Sequence, residues 1–159
     1  MPLLYRLAAP ADLPNLLGLE EACFEQDRIS ARSFRRLIAA RSALVLVAEG
    51  EGELLGYALV LLRRGSDIAR LYSLAISRRA RGQGLGGALL QRCEEQARAH
   101  GCRRLRLEVR TDNASAIGLY ERSGYVRFAR SAGFYEDGSD AWRYEKPLGA
   151  PAPTAGNPA

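Results

Sequence analysis

The chain has 159 residues, of which 47% are hydrophobic and 26% charged, as is ordinary for a single globular domain. Its single histidine and three cysteines without CxxC spacing argue against a disulfide framework, a zinc site and a hydrolase triad. The formal net charge of +5 raises the question of nucleic acid, but the basic residues are interleaved with acids, so we expect no nucleic-acid partner.

The sequence also predicts no membrane partner. No apolar run approaches the roughly 20 residues needed to cross a bilayer. The first six residues lack the basic segment, apolar stretch and cleavage site of a signal peptide. We therefore expect a cytoplasmic protein, either a monomer or a homodimer.

In chain order, residues 3–7 predict a first strand, and two helices follow it. Asp12 is the candidate N-cap of the first helix, with Pro14 in its first turn. Leu13, Leu16 and Leu17 give that helix an apolar stripe. Ser30 is the candidate cap of a second helix that runs through Ala40.

The later elements alternate between strands and helices. Residues 44–48 and 54–62 predict an antiparallel hairpin, and strand 67–76, helix 85–99 and strand 104–109 follow. A helix capped by Asp112 or Asn113 ends near Gly124, and strands 125–129 and 142–146 close the chain. The order β-α-α-β-β-β-α-β-α-β-β predicts one α/β domain with a mixed sheet over residues 1–148. Residues 149–159 contain only Gly, Ala, Pro, Thr and Asn, which predicts a disordered tail.

A glycine-rich loop joins strand 67–76 to helix 85–99. Glycines let backbone N–H groups approach an anion, and a helix N-terminus adds a positive dipole, so a phosphate or diphosphate is the expected ligand. A P-loop would end in Gly-Lys-Ser/Thr, whereas this loop ends in Gly86-Gly87-Ala88. A loop built only for a sharp turn would not account for its basic approach and the long helix after it.

The sequence satisfies the glycine pattern of a dinucleotide-binding loop but not its position relative to the strands. Gly82, Gly84 and Gly87 satisfy GxGxxG, and Glu108 lies about 20 residues beyond. However, residues 77–81 separate the strand from the first glycine. Glu108 also lies inside its strand, where that motif expects the acid at the strand's end.

The spacing Arg81-x-x-Gly84-x-Gly86 resembles the diphosphate loop of the GNAT N-acetyltransferase superfamily. Residues 107–125 are similar to the signature LEVR-x-x-N-x-x-A-I-x-L-Y-E-x-x-G-F of bacterial ribosomal-protein-alanine N-acetyltransferases (RimI-like). Residues 74–76 match the I-A-V before the loop, and residues 135–141 look like the family's Y-x-x-D-G-x-D-A ending, with one residue fewer after the tyrosine. The likeness covers roughly residues 67–148.

This resemblance implies a mostly antiparallel, twisted sheet of about seven strands, with a central parallel pair splayed around acetyl-CoA and about four flanking helices. It implies direct acetyl transfer from acetyl-CoA to an amine in a ternary complex, without a metal. Glu108 would be the general base and Tyr120 the general acid. The residues implied to contact acetyl-CoA are Leu74, Ala75 and Ile76 at the pantetheine arm, Arg81, Gly82, Gln83, Gly84, Leu85, Gly86 and Gly87 at the diphosphate, and Asn113.

The residues themselves suit this chemistry but leave alternatives open. Glu108 alternates with Leu107 and Val109, so it points to the opposite sheet face and could take a proton from an amine, directly or through water. It could equally be the cross-strand partner of an arginine. Tyr120 could protonate a departing thiolate or simply be a core aromatic. No cysteine lies where an acyl-cysteine route would need one.

The amine acceptor is less defined than the reaction. Phe24-Glu25-Gln26 stands where the family has F-P-W, and Ser131 follows Arg130 where the family has adjacent arginines. We favour a peptide or protein amine, either an N-terminal α-amine or a lysine ε-amine. Four acidic residues could attract such a cation: Glu25, Asp27, Glu136 and Asp137. A small-molecule amine (a polyamine, aminoglycoside or amino acid) and a non-catalytic CoA-binding module are the alternatives.

Overall fold

The computed structural model describes residues 2–149. Its elements, in chain order, are β1 (Leu4–Leu7), α1 (Leu13–Cys23), α2 (Ala31–Ala39), β2 (Ala43–Gly50), β3 (Glu53–Leu61), β4 (Ile68–Ile76), α3 (Leu85–Ala99), β5 (Arg104–Arg110), α4 (Ala114–Arg122), β6 (Val126–Ser131) and β7 (Ala141–Pro147). Short 3-10 helices at Pro10–Asp12 and Arg78–Ala80 precede α1 and α3. Apart from Gly149, the predicted tail lies outside the described residues.

The seven strands form one sheet in the order β1-β2-β3-β4-β5-β7-β6. Every neighbouring pair is antiparallel except β4 and β5, which are parallel. The predicted fold class is therefore confirmed: a mixed α/β domain with a mostly antiparallel sheet, one central parallel pair and four α-helices.

The helices cover the two faces of the sheet unequally. On one face the apolar stripe of α3, including Leu89, Leu90 and Cys93, packs on the inner strands. On the other face α1 and α2 pack over β2, β3 and β4 around Leu16 and Phe34. A cavity therefore lies on this side of the sheet, between the C-terminal end of α1 and strand β5.

The side chains of Ser30 and Asn113 cap their helices as predicted, whereas that of Asp12 does not. Ser30 accepts a hydrogen bond from the Ser33 N–H at 3.1 Å, as predicted. Asp12 occupies the N-cap position of α1, as predicted, but its side chain makes no capping hydrogen bond to that helix. Its carboxylate instead accepts from the Ala9 N–H at 2.7 Å and pairs with Arg6 at 2.7 Å. The Arg6 guanidinium offers two charged donors to it, and this pairing lowers the pKa of Asp12.

Within residues 2–149, no helix is both long enough and apolar enough to span a membrane.

Close packing of β3 on β4 gives opposite expectations for two glycines. A Cβ at Gly56 would lie 3.0 Å from the carbonyl oxygen of Ala75, whereas a Cβ at Gly18 in α1 would meet nothing within 4 Å. We expect Gly56→Ala to lower the free energy of unfolding by about 1–3 kcal/mol through overpacking. Gly18→Ala should raise it by up to about 1 kcal/mol, because alanine favours a helix interior. Urea unfolding of both variants measures the two signs, and an unchanged Gly56→Ala midpoint would contradict this packing.

Candidate active site

The candidate site begins where β4 and β5 part. The two strands pair only from Ile68–Leu71 to Arg104–Leu107. A bulge follows on β4, since Val60 of β3 pairs with Leu71 and the next residue, Leu59, pairs with Ser73. Tyr72 is therefore an extra residue in the strand. Past this point a cavity of about 780 Å³ opens between the strands.

The predicted pantetheine-binding residues lie along this parting. Leu74 lines the cavity, whereas the side chain of Ala75 is buried. The carbonyl oxygen of Ile76 accepts a hydrogen bond from the Arg81 guanidinium at 3.2 Å. Residues 73–76 pair with β3 on one side, and no pairing to β5 extends past Leu71 on the other. This edge of β4 therefore offers backbone groups to a ligand.

The glycine loop brings backbone groups to the start of α3. Gly82 and Gly84 adopt left-handed φ angles of 78° and 77°, which glycine reaches without steric cost. Gly84 occupies the N-cap position and has no side chain to cap the helix. The N–H groups of the first turn are therefore open to an anion, and the dipole of a 15-residue helix adds positive potential.

Two further glycines of the loop face α4. A Cβ at Gly86 would lie 3.2 Å from the Leu119 side chain, and one at Gly87 would lie 3.9 Å from it. Gly86 therefore permits a close approach of the α3 N-terminus to α4.

The side chains of the loop hold it in place. Besides Ile76, the Arg81 guanidinium reaches the sulfur of Cys23 at 3.7 Å, and the Gln83 amide donates to the Arg79 carbonyl at 3.2 Å. Leu85 is buried in the core. These predicted ligand-binding residues thus brace the loop with their side chains, and the backbone is what the loop presents.

Glu108 lies on β5 just past the parting. Leu107 and Val109 face the α3 core, and the Glu108 side chain, 7% exposed, faces the cavity on the other side. Its carboxylate pairs with Arg70 of β4 at 2.7 Å and with Arg143 of β7 at 3.4 Å. The interpretation of Glu108 as a cross-strand partner of arginines is therefore confirmed, and the carboxylate also reaches the cavity; its role as general base stays a prediction.

Tyr120 and Asn113 reach the same cavity from α4 and its N-cap. Tyr120 packs edge-on against Tyr125, with ring centroids 6.1 Å apart, and burial raises the pKa of its hydroxyl. The phenol therefore stays protonated at neutral pH. Asn113 caps α4 as predicted, because its side-chain oxygen accepts from the Ala116 N–H at 3.1 Å.

The cavity lining is acidic although the chain is basic. Six acidic residues line it against two arginines: Glu20, Glu25, Asp27, Glu108, Glu136 and Asp137 against Arg70 and Arg110. No group of three or more potential metal-binding His, Cys, Asp or Glu side chains occurs in the described part of the chain. The four acidic residues expected on the acceptor side are thus all brought to the cavity.

Arg110, at the end of β5, was not singled out from the sequence. Its guanidinium pairs with Asp27 at 3.0 Å and with Asp137 at 2.9 Å, and it lies 4.1 Å from the ring centre of Tyr135. These contacts join the α1–α2 loop (residues 24–30) to the β6–β7 loop (residues 132–140). Because those loops are separated by about 100 residues, no local pattern could have revealed the link.

Comparisons with known proteins support the resemblance. The Acetyltransferase (GNAT) family profile matches residues 13–125. A Bacillus subtilis (strain 168) protein, provisionally named a ribosomal protein bS18-alanine N-acetyltransferase, is 31% identical over 131 residues, covering 82% of this chain and 85% of that protein. The crystal structure of the ribosomal-protein-S18-alanine N-acetyltransferase from Escherichia coli superposes with a TM-score of 0.82 at 26% identity, covering 97% of this chain and 98% of that one. A ribosomal-protein-alanine N-acetyltransferase from Brucella melitensis gives 0.78 at 27% identity, covering 91% and 99%.

The Arg110 contacts predict which bonds become open to a protease. Arg110→Ala removes two partly exposed ion pairs, so the open population of both loops should rise about two- to fivefold. Cleavage after Glu25 and Glu136 by a glutamate-specific protease, followed by mass spectrometry, measures this. Arg104→Ala is the matched control, because Arg104 pairs with Glu145 outside the cavity. Equal cleavage rates in the two variants would contradict the view that Arg110 holds the two loops together.

Proposed function

Because the chain belongs to the Acetyltransferase (GNAT) family, we propose that it moves the acetyl group of acetyl-CoA onto the N-terminal α-amine of a protein. The relatives named for alanine acetylation of ribosomal protein bS18 make that protein the first acceptor to test. Such an acceptor is made in the cytoplasm, and this enzyme would act there.

The acidic cavity lining is the observation that carries the choice of acceptor. A carboxylate-rich cleft in a chain of net charge +5 concentrates cations, and an N-terminal amine is a cation near neutral pH. The glycine loop, which is not part of this cavity lining, has the opposite character. Arg78 and Arg81 precede the α3 N-terminus, and this combination suits the diphosphate of acetyl-CoA.

The reaction needs the amine to lose a proton before it attacks. Glu108 faces the cavity, and we assign it as general base, directly or through a water molecule. Arg70 and Arg143 fix the orientation of this carboxylate. Its negative charge also draws the ammonium group towards the thioester.

Two groups would stabilise the transfer itself. The unpaired edge of β4 supplies backbone N–H groups, which would donate to the oxyanion that forms when the amine adds to the thioester. We assign Tyr120, which lines the cavity as a protonated phenol, as the general acid that donates to the departing thiolate. Acetyl-CoA supplies the activated acetyl group, and no metal takes part.

A pair of glycine variants tests the loop's ligand. Gly84→Ala places a side chain where the diphosphate would approach, and we expect it to weaken acetyl-CoA binding at least about 10-fold, or about 1.4 kcal/mol. Gly65→Ala is the control, because Gly65 has a similar φ of 79° and equal open space, but lies in the β3–β4 turn. The measurement is the rise of the melting temperature with acetyl-CoA concentration. Equal shifts in both variants would place the ligand elsewhere.

A second pair of variants, scored by thiol release and mass spectrometry, tests the reaction. The acceptors are a bS18 N-terminal peptide, the same peptide with a blocked α-amine and an added lysine, and spermidine. We expect acetylation of the free α-amine, and a loss of about 10- to 100-fold in kcat for Glu108→Gln. Glu145→Gln, which alters a neighbouring β7 carboxylate outside the cavity, should remain near wild type. Turnover of spermidine alone would instead identify a small-molecule acetyltransferase, and acetyl-CoA binding without turnover would identify a binding module.

A further inference from the structure

A buried chain of hydrogen bonds leads from the cavity into the protein under α1. Glu20 of α1 is 2% exposed, and its carboxyl accepts from the Ile29 N–H at 2.7 Å and from the Tyr57 hydroxyl. The Tyr57 oxygen lies 2.8 Å from the hydroxyl oxygen of Ser73 on β4. Ser73 lines the cavity, so the chain ends where an acceptor amine would bind.

The register of β3 and β4 puts Ser73 on the same side of the sheet as Arg70. Leu61 pairs with Arg70 and Leu59 with Ser73, and alternate residues of β3 share one face. Arg70 holds Glu108, so Ser73 and Glu108 border the same part of the cavity.

The two carboxyls nearest the expected amine have opposite surroundings. Glu108 lies between two guanidiniums, and each of its carboxylate oxygens is engaged by one of them, Oε1 by Arg70 and Oε2 by Arg143. Among the described residues, no arginine forms an ion pair with Glu20. Burial raises the pKa of its carboxyl. The groups that act on it are Tyr57 from β3, Arg28 from the α1–α2 loop and the Ile29 N–H, all of which oppose the effect of burial. A carboxyl with a raised pKa is a better match for an amine near neutral pH.

We propose that Glu20 is a second proton acceptor for the amine, reached from the cavity through the hydroxyls of Ser73 and Tyr57. The ammonium proton passes to the Ser73 oxygen, the Ser73 proton to the Tyr57 oxygen, and the Tyr57 proton to the Glu20 carboxylate. The net change is an ammonium and a carboxylate becoming an amine and a carboxylic acid, with both hydroxyls regenerated. The Tyr57 hydroxyl already donates towards Glu20, which is the direction this transfer needs. After the product leaves, the proton returns along the same path to water. This relay rests on the acetyltransferase function proposed above.

The relay predicts losses that depend on pH. Tyr57→Phe and Ser73→Ala should lower kcat/KM for the peptide about 10-fold near pH 6.5, where the amine is charged. The loss should shrink to within about twofold above pH 9, because an α-amine with a pKa of about 8 is then already neutral. Ser73→Thr keeps the hydroxyl and should stay near wild type at every pH.

The experiment is a pH profile of kcat/KM at saturating acetyl-CoA, with melting temperatures as the folding control. If Tyr57→Phe does not fold, the half-buried Ser73→Ala and Ser73→Thr pair decides alone. Losses of equal size at all pH values would show a structural role and overturn the relay, as would no loss at all. An inactive wild type would overturn the proposed function and the relay with it, whereas an active wild type with pH-independent losses overturns the relay alone.

Discussion

The parting of β4 from β5 after four residue pairs is the constraint on which the site depends. Continued parallel pairing would use the backbone groups of residues 72–76 and would leave no space between the strands. The bulge at Tyr72 contributes to this geometry in a second way. Because side chains alternate along a strand, an unbulged β4 would direct Ser73 to the α3 side, away from Arg70. The extra residue Tyr72 therefore brings Ser73 to the face on which Arg70 and Glu108 already lie.

Two carboxyls on that face show how environment divides roles between like groups. Glu108 exchanges contact with water for contact with two arginines, while Glu20 exchanges it for neutral hydrogen-bond donors. The difference follows from the elements around them: α1 carries Glu20 against Tyr57 of β3, whereas Glu108 lies between Arg70 and Arg143 of the neighbouring strands.

Much of this arrangement could be predicted from local pattern. Helix α3 was predicted with its observed bounds, because an apolar stripe runs through Leu89, Leu90 and Cys93 and a glycine loop marks its start. The reach of Glu108 to the opposite face followed from strand alternation. The role of Arg110 and the burial of Glu20 could not be predicted, because their partners lie far away in the sequence. The side chain of Asp12 does not cap α1, because a carboxylate that can cap a helix can also pair with a nearby arginine, and here it pairs with Arg6.

The close approach of Gly86 to Leu119 joins the glycine loop to α4, the helix that carries Tyr120. Leu119 immediately precedes Tyr120, so the loop that would grip the diphosphate and the helix that carries the phenol are packed as one unit. This packing fixes the distance between the loop proposed to bind the diphosphate and the phenol proposed to act at the sulfur. A change in the loop that shifts Gly86 would also shift Leu119 and the adjacent Tyr120, so the two roles proposed for these segments are coupled through one packing contact.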